Sequence, residues 1–284
     1  MISLLFSACL DLGFSATGEP IVSTNRIHIG SFDPANAERH LGAPRRIVAF
    51  AVSPSGAHLA EIGGVAGEAG RIALWNFENG DLEWELELGG DLLYDLAWAP
   101  DGKSLVVAGG DGYLTRLASG GEVLAEWEAH SAAVLSVAIA PDGLLVSGSA
   151  DHSIGVWRDD KKVRSISNHA ERVTALAFAP DGKRLASASA DGTVRVWQPA
   201  IGRLMKIIRE HDGEVLDVLW NEDGLYSACA DGRVRELDEV QAKVRRQLGT
   251  HDDWVERLGS YGGVLASQDA AGHVLERRLG FQEE

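Results

Sequence analysis

Cysteine is almost missing from this chain: Cys9 and Cys229 are its only two thiols in 284 residues. No Cys-x-x-Cys or His-x-x-x-His pair occurs, which argues against a zinc ribbon, a thioredoxin-type motif or a disulfide-dense secreted scaffold. Both cysteines fall in expected strands of different segments, so buried inert thiols in a reducing compartment, and hence a cytoplasmic location, are expected. Long apolar runs are absent too, and nothing near the roughly 18 residues needed to cross a bilayer as a helix is present, so no membrane association is expected. Cations are scarce, 26 Lys and Arg against 42 Asp and Glu, for a net charge of −16. That field opposes nucleic acid and anionic surfaces and favours a basic partner. There is no Gly-x-Ser-x-Gly elbow, and no Gly-Lys-Ser/Thr follows the glycines at 63, 64, 67 and 70, which read as a long loop.

What the chain does have is a repeat. Asp111-Gly112, Asp151-His152, Asp191-Gly192, Asp231-Gly232 and Ala271-Gly272 recur at intervals of 40 residues. About six residues after each stands Leu117, Trp157, Trp197, Leu237 or Arg277 in turn. An earlier turn in each unit ends at Gly18, Gly56, Gly102, Gly143, Gly182, Gly224 or Gly263, which makes seven units. In the clearest copy an apolar run, Val173 to Phe178, ends at Pro180-Asp181-Gly182, where proline presets φ and glycine accepts a positive one. Arg184 to Ala190 ends at Asp191-Gly192, and Thr193-Val194-Arg195-Val196-Trp197 alternates as a pleated strand does. A fourth segment, Leu204 to Arg209, completes a four-stranded antiparallel unit, and no segment shows a long helical period. A period of about 40 with four strands per unit suits a propeller blade.

His130, Asp151 and Trp157 in one copy, and His169, Asp191 and Trp197 in the next, stand at the His, Asp and Trp positions of the WD-repeat family, which the chain resembles over nearly its whole length. The resemblance implies an all-β, seven-bladed β-propeller of four-stranded antiparallel blades. It also implies a hydrogen-bond network in each blade, with Ser147 or Ser149 serving His130 and Ser187 or Ser189 serving His169. Toward the C-terminus the pattern decays: His211 keeps Ser227 and Asp231 but meets Leu237, while His251 keeps Ser267 but faces Ala271 and Arg277. The later blades are therefore expected to be looser, and His251 is a candidate for a role beyond structure.

The last copy lacks an outer strand after His273 to Leu279, and Ile2 to Ala8 is a β-prone run ahead of the first full copy. In the manner usual for the family, residues 1–10 are expected to complete the last blade, with seven repeats over about 11–280 forming one domain across 1–284. Phe6-Ser7-Ala8-Cys9 loosely matches a lipoprotein cleavage box, but the basic segment such a signal needs is absent.

For function, the resemblance implies a binding scaffold rather than an enzyme. Two rows of residues at the start of the inner strands are candidates: Leu10, Val48, Tyr94, Leu135, Thr174, Leu216, Glu256, and then Asp11, Ala49, Asp95, Ser136, Ala175, Asp217, Arg257. If the second row faces the channel, its aspartates make an acidic mouth suited to a Lys or Arg side chain. Just upstream, Arg172, Glu214 and above all Trp254 are candidates for partner contact, since large aromatics anchor interfaces. The leading expectation is a non-enzymatic docking platform in a hetero-complex, binding a protein or peptide with a basic segment, with no metal, cofactor or nucleic acid. The alternative is a propeller enzyme or small-ligand binder using Asp11, Asp95 and Asp217. Lys161-Lys162 and Arg245-Arg246 are expected to be solvated edge charges that discourage sheet pairing.

Overall fold

Residues 11–15, 17–23, 27–29, 39–41 and 47–279 are described by the structure, a computed structural model. Their strands form seven antiparallel sheets, each a meander in chain order. Blade 1 holds β1 (Asp11–Phe14), β2 (Pro20–Ser23), β3 (Ile27–Ile29) and β4 (Arg39–Leu41). Blade 2 holds β5 (Ile47–Val52), β6 (His58–Gly64), β7 (Gly70–Asn76) and β8 (Leu82–Leu88). Blade 3 holds β9 (Leu93–Trp98), β10 (Ser104–Gly109), β11 (Tyr113–Ala118) and β12 (Val123–Glu128). Blade 4 holds β13 (Val134–Ile139), β14 (Leu145–Ser149), β15 (Ile154–Arg158) and β16 (Lys161–Ile166). Blade 5 holds β17 (Val173–Phe178), β18 (Leu185–Ser189), β19 (Val194–Gln198) and β20 (Arg203–Ile208). Blade 6 holds β21 (Val215–Asn221), β22 (Gly224–Cys229), β23 (Arg233–Asp238) and β24 (Lys243–Thr250), and blade 7 holds β25 (Val255–Tyr261), β26 (Val264–Asp269) and β27 (Val274–Arg278).

The turns form for the reasons their residues suggest. At Pro180-Asp181-Gly182 the Gly182 amide closes onto Ala179 O at 2.8 Å with φ of 65°, and the Asp181 carboxylate accepts from Lys183 N at 2.8 Å. The second turn of blade 4 is the exception to glycine, because His152 itself takes the left-handed conformation at φ 69°.

The inner strands β1, β5, β9, β13, β17, β21 and β25 touch in that cyclic order, and β25 returns to β1. Six apolar clusters lie one at each interface from blades 1 and 2 to blades 6 and 7, so each sheet buries both faces against its neighbours. The seventh interface closes the ring. There Phe14 stacks on Tyr261 at 6.2 Å between centroids, and a side chain at Gly259 would meet Gly13 Cα at 3.4 Å, so paired glycines let the first and last blades approach closely. The molecule is a seven-bladed β-propeller. Among the described residues blade 7 has three strands; the segment expected as its fourth, residues 1–10 with Cys9, lies outside them.

Candidate functional site: the rim and the networks beneath it

In blade 5 four side chains close into one chain of hydrogen bonds. Trp197 Nε1 donates to Ser187 Oγ at 2.8 Å, the Ser187 hydroxyl meets His169 Nε2 at 2.7 Å, and His169 Nδ1 meets Asp191 Oδ2 at 2.8 Å. The Asp191 carboxylate only accepts, so Nδ1 carries the proton, and Nε2 of the neutral ring accepts from the Ser187 hydroxyl, whose oxygen takes the indole N–H. Burial pushes the His169 pKa down, which keeps the ring neutral as that proton order requires. Blade 4 repeats the arrangement through Trp157 Nε1 to Ser147 Oγ at 2.9 Å, Ser147 to His130 Nε2 at 2.8 Å, and His130 Nδ1 to Asp151 at 3.0 Å. Burial works against the Asp151 charge, but hydrogen bonds from Ser153 and the nearby His130 outweigh it and bring the pKa to about 2. The serines of the networks are therefore Ser147 and Ser187. Ser149 and Ser189 instead donate to Ala133 O and Glu171 O and accept from the amides of Asp151 and Asp191. Ser147 and Ser187 are wholly buried, so these Ser-His-Asp sets present no nucleophile to a substrate.

Blades 6 and 7 depart from what their sequences suggest. His211 keeps Ser227 at 2.9 Å, but the Asp231 carboxylate is taken by Arg235, and only the Gly192 backbone lies beside His211 Nδ1. Burial and the Arg235 charge drop the His211 pKa to about 4. In blade 7 the missing aspartate at 271 is replaced from two residues upstream: Asp269 Oδ2 meets His251 Nδ1 at 3.2 Å, and Ser267 meets Nε2 at 2.8 Å. Asp269 also accepts from the amides of Ala271 at 3.0 Å and His273 at 2.8 Å, so it pins the turn as well. The expectation of an unpartnered, functional His251 is therefore corrected: it is a buried network histidine. A Ser-x-Asp pattern at 267–269, with the acid where Ser149 and Ser189 stand in their blades, is the signal that identifies the substitution.

The two inner-strand rows are now separable. Register shifts at Ile47/Ala49, Val134/Ser136, Val173/Ala175, Val215/Asp217 and Val255/Arg257 make bulges that skip Val48, Leu135, Thr174, Leu216 and Glu256, and Tyr94 is skipped in blade 3. These first-row residues are half-buried. The second row turns toward the next blade. Asp95 Oδ2 accepts from Val137 N at 2.7 Å, Ser136 Oγ from Leu176 N at 3.1 Å, and Asp217 Oδ2 from Leu258 N at 2.8 Å. The other oxygens of Asp95 and Asp217 take Leu96 N and Val218 N at 2.8 Å each, so each carboxylate bridges the equivalent amides of two consecutive blades. The acidic mouth expected of this row is thus replaced by inter-blade staples; the side chain of Asp11 lies outside the described residues.

The upstream row holds one position in every blade from 3 to 7. The carbonyls of Leu92, Ala133, Arg172, Glu214 and Trp254 each accept from an amide of the neighbouring turn, at Gly110, Ala150, Ala190, Ala230 and Ala270. This fixes the backbone and leaves the side chains at the rim. Arg172 and Glu214 are ion-paired across blades 5 and 6. The Trp254 ring stays 47% exposed. Tyr94 lies against Gly110, where a side chain would meet its ring at 3.0 Å. The structure thus puts Trp254, Arg172 and Glu214 in equivalent rim positions and Tyr94 and Glu256 at equivalent bulges just inside them.

Two edge pairs do more than face solvent. Lys162 donates to Ala129 O at 2.8 Å and sits 4.8 Å over the Trp157 ring, and Arg246 and Arg245 hold the buried Glu236 carboxylate at 2.6 and 2.9 Å. A cavity of about 600 Å³ between blades 6 and 7 is lined by Leu248, Leu265, Leu275 and Arg277 among others. Among the described residues no cluster of His, Cys, Asp or Glu could hold a metal ion, and no helix is long and apolar enough to cross a membrane.

A ring of seven blades whose polar networks are directed inward, under a rim of fixed backbone, defines a β-propeller. The WD domain, G-beta repeat model matches residues 121–158, 160–198 and 202–236, which take in most of blades 4 and 5 and the first three strands of blade 6. Similar proteins include an uncharacterized WD repeat-containing protein of Synechocystis, 32% identical over 44% of this chain and 37% of the relative. Others are the chromatin assembly factor 1 subunit FAS2 homolog of Oryza sativa, 30% identical over 43% of this chain and 29% of the relative, and WD repeat-containing protein 1 of Bos taurus, 28% identical over 70% and 34%. The chain spans between 29% and 37% of the length of these relatives.

Proposed function

We propose that this propeller is a non-enzymatic docking platform, a subunit of a larger assembly, that holds a segment of a partner protein on the rim carrying Trp254. The observation behind this reading is the contrast between networks and rim. His130, His169 and His251 are buried and hydrogen-bonded to the serine and aspartate of their own blades, whereas a large aromatic, Trp254, is left 47% exposed on a backbone held by Ala270 N. Asp252 and Asp253 flank it, and Asp91, Asp111, Glu171 and Asp212 belong to the loops of the same rim, which supports a basic segment as the bound element. A relative that bears the word subunit in its name supports the assembly role, and Cys229 as a buried free thiol is in keeping with a cytoplasmic setting. The carboxylates that a channel enzyme would need are engaged at Asp95 and Asp217, so no observation favours that alternative.

The test is an affinity pulldown read by mass spectrometry, comparing wild type with a Trp254→Ala, Arg172→Ala double variant that is shown to be folded by circular dichroism. A partner captured by wild type and lost by the variant supports the rim. Turnover of a substrate by the pure protein, or equal capture by both forms, defeats the reading of this rim as the docking surface.

A further inference from the structure

Charge is segregated around the circumference of the disc. The outermost strands of blades 2 and 3, β8 and β12, carry five glutamates and no cation, while those of blades 4, 5 and 6, β16, β20 and β24, carry eight lysines and arginines and no carboxylate. In a chain with a net charge of −16, a basic arc over three consecutive blades runs against composition. Two of the acids that border this arc are turned into the disc, Asp160 onto Arg116 at 2.7 Å and Glu239 onto Arg184 at 3.3 Å. Among the described residues no ion pair is made by Glu87 or Glu128 on one arc, or by Lys161, Arg203 or Lys206 on the other. Both arcs also expose apolar side chains: Val123 and Leu124 are 49% and 51% exposed on β12, and Val163 and Met205 are 48% and 40% exposed on β16 and β20.

An outer strand has unpaired backbone groups that could add a strand from another molecule, and charge is the usual barrier to that. The barrier works here between two acidic edges or two basic edges. It becomes an attraction when an acidic edge meets a basic one. We infer that the protein self-associates through its perimeter, the acidic edge of blades 2 and 3 on one copy lying against the basic edge of blades 4 to 6 on another. The contact joins two different patches, so each added copy leaves one patch of each sign open and the assembly grows into a ring or a chain. Because the contact uses the circumference, the rim that carries Trp254 stays open on every copy.

Sedimentation velocity of the full chain, over a concentration series up to about 100 µM, covers the micromolar affinities expected of an electrostatic contact. Raising salt from about 20 to about 500 mM shrinks the Debye length from roughly 20 to roughly 4 Å. The expected result is association at low salt that weakens at least about tenfold at high salt. Two charge-swap variants use positions without an ion pair or at the surface: Glu83→Lys, Glu87→Lys, Glu128→Lys turns the acidic edge from five glutamates to three lysines and two glutamates, and Lys161→Glu, Arg203→Glu, Lys206→Glu cuts the basic edge from eight cations to five cations and three glutamates. Each should be monomeric alone, and an equimolar mixture should associate again; circular dichroism checks that both are folded. A wild type that stays monomeric at low salt overturns the inference, as does association that survives high salt or persists in either variant alone. Retention of a DNA duplex by a monomeric wild type, lost in the Lys161→Glu, Arg203→Glu, Lys206→Glu variant, would overturn it in favour of a polyanion on the basic arc.

Discussion

Asp269→Ala is the substitution that most directly tests how blade 7 is held. The carboxylate is buried and accepts from three groups that lose their acceptor when it is removed: Ala271 N at 3.0 Å, His273 N at 2.8 Å and His251 Nδ1 at 3.2 Å. Its contact with the His273 ring adds little, because that side chain is 75% exposed. A buried donor left without a partner costs about 1 to 3 kcal/mol. The turn amides can recover water in part, so taking each of the three groups near the lower bound gives about 3 kcal/mol in all. For a chain of this size about 2 °C of melting temperature is lost per kcal/mol, hence a drop of about 6 °C. Urea unfolding followed by circular dichroism gives the free energy, and hydrogen exchange of peptides from residues 255–279 shows whether the loss is local to blade 7. Asp269→Asn, which keeps one oxygen for the turn amides, should lose about half as much. A cost below about 1 kcal/mol for Asp269→Ala would refute the reasoning, since the aspartate would then not be replacing the one missing at 271.

Ser187→Ala removes the acceptor of Trp197 Nε1 and the donor to His169 Nε2, both fully buried, and should cost about 2 to 4 kcal/mol in urea unfolding; a loss under about 1 kcal/mol would show the network to be ornamental. His211, with its pKa near 4 in the folded protein against 6.5 unfolded, is protonated first in the unfolded chain. Its burial therefore destabilises the fold progressively as pH falls from about 6.5 to about 4, by up to about 3 kcal/mol, and has no such effect above that window. Comparing wild type with His211→Gln across that range should show the variant gaining ground in acid; parallel stability curves would contradict this. His152→Gly relieves a side chain held at φ 69° and should raise stability by roughly 1 kcal/mol, checked by thermal melting, with no gain counting against strain at that turn.

The propeller was legible because its punctuation repeats. Asp-Gly at a period of 40, Pro-Asp-Gly at three turns, and alternation such as Thr193 to Trp197 identify strand ends and pleat without any knowledge of packing. The four strands of blade 5 fall within a residue or two of where those signals put them. The His-Ser-Asp-Trp networks of blades 4 and 5 followed from the family pattern, but the choice of Ser187 over Ser189 did not. That choice depends on depth along β18: the two serines face the same side, but Ser187 lies level with the His169 ring and the Trp197 indole, while Ser189 stands at the strand end beside Glu171 O.

What could not be read was anything set by a neighbouring blade. Asp95 and Asp217 look like free carboxylates in a linear sequence, and only the ring brings Val137 N and Leu258 N within 2.8 Å of them. The same holds for Arg116 and Asp160, 44 residues apart in sequence and ion-paired between blades 3 and 4. In blade 6 Asp231 is held by the guanidinium of Arg235 and makes no hydrogen bond to the His211 ring, whereas in blade 5 Asp191 serves His169 and Arg195 together. The neutral His211 is then left with Ser227 as its one side-chain partner. An aspartate two residues earlier, as at Asp269 in blade 7, reaches its histidine with no arginine on its carboxylate. Placing aspartate at 229 by Cys229→Asp should accordingly reconnect His211 Nδ1 and raise its pKa from about 4 toward 6.5, a shift that histidine NMR titration would measure. A pKa that stays near 4 would mean that burial and the Arg235 charge, rather than the missing acceptor, set the state of the ring.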